Sequence, residues 1–104
     1  MNNDTGFFLN LDQGSMTNEE VVSMLAEVGY QCIEYGMSHL NPRTQTPAQM
    51  RELVQQTSAA GLKISEYVVQ RELVHFDSAV RNKERKLIED CIRAAGDLGI
   101  GIVN

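Results

Sequence analysis

The sequence predicts an α/β protein of parallel β/α units, ordered β-α-β-α-β-α-β, that forms the first half of a (β/α)8 barrel. Three observations carry that expectation. One layout, helix tail then glycine then short β-rich run, occurs three times: Ala26-Glu27-Val28-Gly29-Tyr30-Gln31-Cys32-Ile33-Glu34-Tyr35, Ala59-Ala60-Gly61-Leu62-Lys63-Ile64-Ser65-Glu66-Tyr67, and Ala95-Gly96-Asp97-Leu98-Gly99-Ile100-Gly101-Ile102-Val103-Asn104. The glycines at 29, 61 and 99 recur at intervals of 32 and 38 residues, the period of a repeated helix-plus-strand element. Finally, the chain runs out within its fourth strand, and four units are half of the eight that occupy about 250 residues.

Taken in order, the first strand is expected over Gly6–Leu11. Thr17 then opens a T-x-x-E capping box with Glu20, in which each side chain can satisfy an orphan amide. Val21, Val22, Met24, Leu25 and Val28 give that helix an apolar face ending at Gly29. Strand 2 covers Gln31–Gly36. The polar stretch Ser38–Thr46, with Asn41-Pro42, is the one sizeable loop. Thr46 caps the second helix, Pro47 sits in its first turn where a missing N–H does no harm, and Gln49 closes a second box. Met50, Leu53, Val54 and Thr57 form its core face. Strand 3 spans Leu62–Val69. The third helix runs from Asp77 or Ser78 to Leu98, with Leu87, Ile88, Cys91, Ile92, Ala95 and Leu98 at core spacing. Its charged residues, from Arg81 to Arg93, read as a solvated face. Strand 4 is Ile100–Asn104. An open sheet of the flavodoxin type is the competing architecture, but its last strand would lack a covering helix.

Size and composition fit one domain, residues 1–104, an N-terminal half-barrel fragment. Nine basic and fourteen acidic side chains leave a net charge of −5, against a nucleic-acid or anionic-membrane partner, either of which needs a basic surface. No apolar run approaches the roughly 20 residues that cross a bilayer. Met1-Asn2-Asn3-Asp4 has neither the basic nor the apolar stretch of a signal peptide. Cys32 and Cys91 fit no disulfide framework or zinc pattern and read as packed, reduced thiols of a cytoplasmic protein.

Several motifs, in this order, resemble the xylose-isomerase-like TIM barrels, the sugar-phosphate isomerase/epimerase family to which endonuclease IV is related. Gly29-Tyr30-Gln31-Cys32-Ile33-Glu34-Tyr35 resembles that family's G-h-x-x-I-E-h strand 2. Ala60-Gly61-Leu62-Lys63-Ile64 is similar to its A-G-L-x-h strand 3, and Ala95-Gly96-Asp97-Leu98-Gly99 to its A-x-x-L-G segment before strand 4. The resemblance implies a metal-dependent isomerase or epimerase that moves a proton between adjacent carbons of a sugar. It also implies a divalent ion (Mn, Mg, Zn or Co), held in the full-length protein by Glu, Asp, His and Glu from the second half of the barrel. No such ligand can be carried onto residues of this chain, so the fragment is expected to bind no metal and to be inactive alone.

Counting from each helix-ending glycine, position +5 holds Glu34, Glu66 and Asn104. Strand alternation pairs these with Cys32, Ile64 and Ile102 on one face and puts Ile33, Ser65 and Val103 on the other. With +5 pointing inward, the three polar residues line the C-terminal mouth, where such barrels build their active sites. They are candidate contacts for a polar sugar, or else structural groups paired within the barrel. His39 and His75 follow strands 2 and 3 and join the candidates as hydrogen-bonders or proton shuttles, or else as solvated loop residues. Asn10 and Asp12 end strand 1 with uncertain parity. No H-x-H, H-x-x-E-H or C-x-x-C spacing offers a metal site from sequence neighbours.

Three functions compete. The first is the isomerase/epimerase fragment with a small-molecule sugar as substrate. The second is an endonuclease IV-like nuclease, against which the charge and Asn104 count. The third is a flavodoxin-like binding or regulatory module. A half barrel would leave Cys32, Ile64, Val68 and Ile102 facing water along an open-edged sheet, so self-association is expected.

Overall fold

The computed structural model describes residues 6–9, 14–71 and 75–104. Strands and helices alternate: β1 (Gly6–Leu9), α1 (Asn18–Glu27), β2 (Cys32–Gly36), α2 (Pro47–Ala59), β3 (Lys63–Val68) and α3 (Ser78–Leu98). The strands pair in parallel in the order β1-β2-β3. A fourth chain segment joins β3 through a parallel bridge between Tyr67 and Val103. Around that bridge, Tyr67 N–H donates to Ile102 O, Asn104 N–H to Tyr67 O and Val69 N–H to Asn104 O, at 2.7–2.9 Å. The expected strand 4 is therefore present as a single bridge with flanking bonds rather than a full strand over Ile100–Asn104. Sequential order rules out the flavodoxin arrangement, in which strand 1 lies between its neighbours.

One apolar cluster joins all three helices to one face of the sheet. Val21, Val22 and Leu25 of α1, Met50 and Leu53 of α2, and Cys91 and Ala95 of α3 pack with Ile33, Tyr35 and Tyr67 of the strands. Helices on one face with sequential strands make an arc of a β/α barrel, convex on the helical side. Three residues assigned to helix core faces, Met24, Val28 and Ile92, are exposed, and Val54 and Ile88, half-buried, also lie outside the cluster. Met24 and Val28 are four apart and share a flank of α1, outside the band that β2 and α2 cover.

Each helix begins as its cap residues dictate. Thr17 accepts the Glu20 N–H, but the other half of the expected box differs: the Glu20 carboxylate takes the Thr17 hydroxyl. At Thr46 both halves form, with Gln49 Oε1 accepting the Thr46 N–H at 2.8 Å. Asp77 caps α3 through the Ala79 N–H. The helix ends are one motif made three times. Tyr30 N–H reaches Leu25 O, Leu62 N–H reaches Thr57 O and Ile100 N–H reaches Ala95 O, across glycines at φ 101, 87 and 76°. A Cβ on Gly99 would meet nothing within 4 Å, so Gly99→Ala probes backbone conformation alone. It should cost about 1–2 kcal/mol, read as a lower urea midpoint at unchanged slope.

Candidate functional site

The helix-free, concave face of the sheet is set by β2 and β3. Ile33 and Tyr35 are fully buried under the helices, so Cys32, Glu34 and Gly36 take the other side. Cys32 is buried there, against β1: a Cβ added to Gly6 would lie 3.1 Å from its Sγ. On β3 the alternation breaks. Ile33 opposes Ile64, but Glu34 opposes Glu66, leaving Ser65 as an extra residue. Ile64 therefore packs with the helix-side core and does not share a face with Glu66, as strict alternation had it. Glu66 and Glu34 are cross-strand neighbours on the concave side. The Tyr67–Val103 bridge puts Ile102 and Asn104 on this side too. Asn104 stands level with Val68, one layer nearer the strands' C-terminal ends than the carboxyl pair.

The histidines do not join this group. His39 lies in the turn after β2 and is only 7% exposed. Its ring centroid is 6.0 Å from that of Tyr35, a helix-side residue, and its Nδ1 is 3.2 Å from Ser38 Oγ. Burial holds its pKa below the ordinary value, favouring the neutral ring. His75 is exposed beside the α3 start, where its Nδ1 accepts the Asp77 N–H at 3.0 Å and its carbonyl accepts from Arg81. Asn10 and Asp12 lie outside the described residues.

Two carboxyls side by side have a measurable electrostatic signature. Glu34 is held above its ordinary 4.5 first by desolvation, then by the charge of Glu66 and a hydrogen bond with it. A carboxyl raised in the folded state favours folding when protonated. Its contribution is fully present below about 4.5 and is lost as pH rises through the folded value. Glu34→Gln removes the repulsion, so at pH 7 the variant should be more stable by roughly 0.2–1 kcal/mol, the scale of an exposed cross-strand pair. The gain should vanish below pH 4.5. Urea unfolding at both pH values checks this, and a variant less stable than the parent at pH 7 would contradict it.

The polar loop after β2 is stitched down rather than open. Gln45 donates to His39 O at 2.8 Å and accepts the Asn41 N–H at 2.7 Å. The Tyr67 hydroxyl donates to Leu40 O, and Arg43 pairs with Asp90 of α3 at 2.9 Å. After β3, Arg71 forks onto Glu84 of α3 through two 2.5 Å contacts. That hydrogen bond lowers the Glu84 pKa. These residues frame the C-terminal side of the sheet; the sequence offers no role for Gln45, Arg43 or Arg71, and Glu84 and Asp90, expected on a solvated face, are ion-paired to the loops. Tyr35 and Tyr67 carried the available signal, as strand tyrosines whose hydroxyls need partners once buried.

Among the described residues no three His, Cys, Asp or Glu side chains lie together as a cation site would need. Two carboxyls and a distant amide do not fit the divalent ion that the resemblance implies. The model of the xylose isomerase-like TIM barrel family matches residues 22–104, from α1 through Asn104. The chain belongs to that family. Isomerases, epimerases and endonuclease IV-like nucleases are all xylose isomerase-like TIM barrels. No curated protein shows significant similarity to the chain. The family match covers β2, β3 and the bridge residues, the parts that carry Glu34, Glu66 and Asn104. No helix among the described residues is long and apolar enough to cross a membrane.

Proposed function

We propose that the chain is the N-terminal part of a cytoplasmic, metal-dependent sugar or sugar-phosphate isomerase/epimerase, in which Glu34 and Glu66, with Asn104 above them, bind sugar hydroxyls. The supporting observation is the in-register Glu34–Glu66 pair on the concave face of a xylose isomerase-like barrel. Two carboxyls side by side offer several acceptor oxygens together, which match the O–H donors of two neighbouring sugar hydroxyl groups. The amide of Asn104 adds a donor and one more acceptor. Orientation is the role these groups can play: they hold the polyol while the proton transfer between adjacent carbons takes place elsewhere. His39 and His75 remain candidate hydrogen-bonders for a substrate large enough to reach the loops. The divalent ion of the full-length enzyme takes its ligands from outside the described residues.

Binding of neutral ketoses and aldoses tests this reading. In carbon-detected NMR, the Glu34 and Glu66 carboxyl signals should shift saturably with a sugar, and the double variant Glu34→Gln/Glu66→Gln should abolish the accompanying sugar-dependent shift of the Asn104 amide signals, a reporter that both chains keep. Saturable binding of duplex DNA carrying abasic sites, with no sugar response, would favour the nuclease branch of the family instead. Calorimetric titration with Mn²⁺ or Zn²⁺ should give no micromolar one-to-one binding. A micromolar site would mean a ligand set beyond the pair described.

A further inference from the structure

We propose that Ser65 is a positioning residue of this site: as the extra residue of the β3 bulge, with its hydroxyl on the Ile33 carbonyl, it sets Glu66 beside Glu34. Residues two apart on a regular strand point the same way. Ile64 and Glu66 point opposite ways, the first into the helix-side cluster and the second onto the concave face beside Glu34. Only an added residue between them reconciles the two. Had the register of Ile33 with Ile64 continued without it, Ser65 would oppose Glu34, Glu66 would be driven under the helices, and the buried Tyr67 would be turned out of the core.

The bulge also leaves its mark on the ladder. Ile33 O lies where even backbone pairing breaks, and the Ser65 hydroxyl donates to it at 3.3 Å. That contact joins the bulged residue to the strand carrying Glu34, one residue from Glu34 itself. Alanine has no donor to offer there, whereas threonine keeps the hydroxyl and suits a strand. Bulges are over-represented next to active sites, where they re-aim a side chain. The functional weight of this one rests on the reading of Glu34 and Glu66 as sugar contacts; its geometric role does not.

The titration midpoint of the Glu34 carboxyl, followed by NMR in the full chain, separates positioning from simple stabilisation. Glu66→Gln should lower the midpoint by removing the neighbouring charge. Ser65→Ala should lower it in the same direction by a smaller amount, and Ser65→Thr should restore it. If Ser65→Ala is too unstable to titrate, Ser65→Cys makes the comparison with a side chain of similar size and a weaker donor. A lower melting temperature with an unmoved Glu34 midpoint would overturn the proposal, because it would leave Ser65 a merely structural residue. So would a Glu66→Gln variant that leaves Glu34 unchanged, since the two carboxyls would then not be neighbours. Midpoints that move as expected in a chain that binds no sugar would instead uphold Ser65 and sink the sugar-binding reading alone.

Discussion

Replacing Tyr67 with phenylalanine should destabilise the chain by about 1–3 kcal/mol, the cost of stranding a buried hydrogen-bonding group. Tyr67 is 1% exposed, and its hydroxyl donates to the carbonyl of Leu40, itself fully buried. Cys91 Sγ, 3.5 Å away, is a weak second partner. Burial pushes the Tyr67 phenol well above its ordinary pKa, so it remains a donor throughout the working pH range. Phenylalanine would fill the same space and leave the carbonyl unpaired. Tyr35→Phe is the internal control. The Thr57 hydroxyl already donates to Leu53 O at 2.7 Å, so the Tyr35 hydroxyl, 2.7 Å from Thr57 Oγ1, must donate to it. Its loss leaves Thr57 bonded through its own proton and should cost nearer 1 kcal/mol. Urea unfolding of the two variants should rank Tyr67→Phe as the more damaging, and the reverse order would contradict this hydrogen-bond assignment.

The second large effect concerns association. At micromolar concentration the chain should sediment as a dimer or larger species. The segment 102–104 is bonded to β3 on one side, and no strand among the described residues pairs with its other edge. Ile102 is 56% exposed on the concave face, forgoing much of the roughly 1.5–3 kcal/mol that burial of an isoleucine contributes. Unpaired backbone next to exposed aliphatic surface is a template for a second chain. The tendency is weaker than strict alternation implied, because the β3 bulge turns Ile64 into the core. Ile102→Lys should shift the population to monomer without lowering the melting temperature. A parent chain that sediments as a stable, cooperatively unfolding monomer would sink the association.

Much of this fold is legible because local chemistry and global architecture agree. Gly29, Gly61 and Gly99 are residues whose positive φ is nearly cost-free, so their spacing marks three helix ends that all close in the same way. Thr46-Pro47 with Gln49 marks a helix start for reasons contained within four residues. The side taken by Glu34 follows from alternation along an unbroken β2. Glu66 is different. Alternation from Ile64 puts it on the concave face for the wrong reason, since Ile64 itself faces the helices. A bulge is a property of two paired strands, and β3 alone carries no sign of it. Apolar spacing likewise misplaces Val28 and Ile92, because it marks a stripe without saying how wide a band the neighbouring elements cover. His39 is buried because Tyr35 lies beside it and Gln45 holds its carbonyl, contacts made after the loop has folded back. Its position in a polar loop gave no hint of that.

The bond from Tyr67 to Leu40 bridges a sequence separation of 27 residues, and this has a consequence for the order of events during synthesis. A ribosome adds about 5–20 residues per second, so Leu40 waits roughly one to five seconds for the hydroxyl that seals its loop. Until then α2 can be helical and β1 and β2 can be paired, yet the turn through His39 has an unmet carbonyl at its centre. The second β/α unit is thus completed by a residue of the third. A nascent chain arrested with the Leu40 loop outside the ribosome and Tyr67 still inside it should present that loop to proteases, and the same loop should become resistant once β3 has emerged.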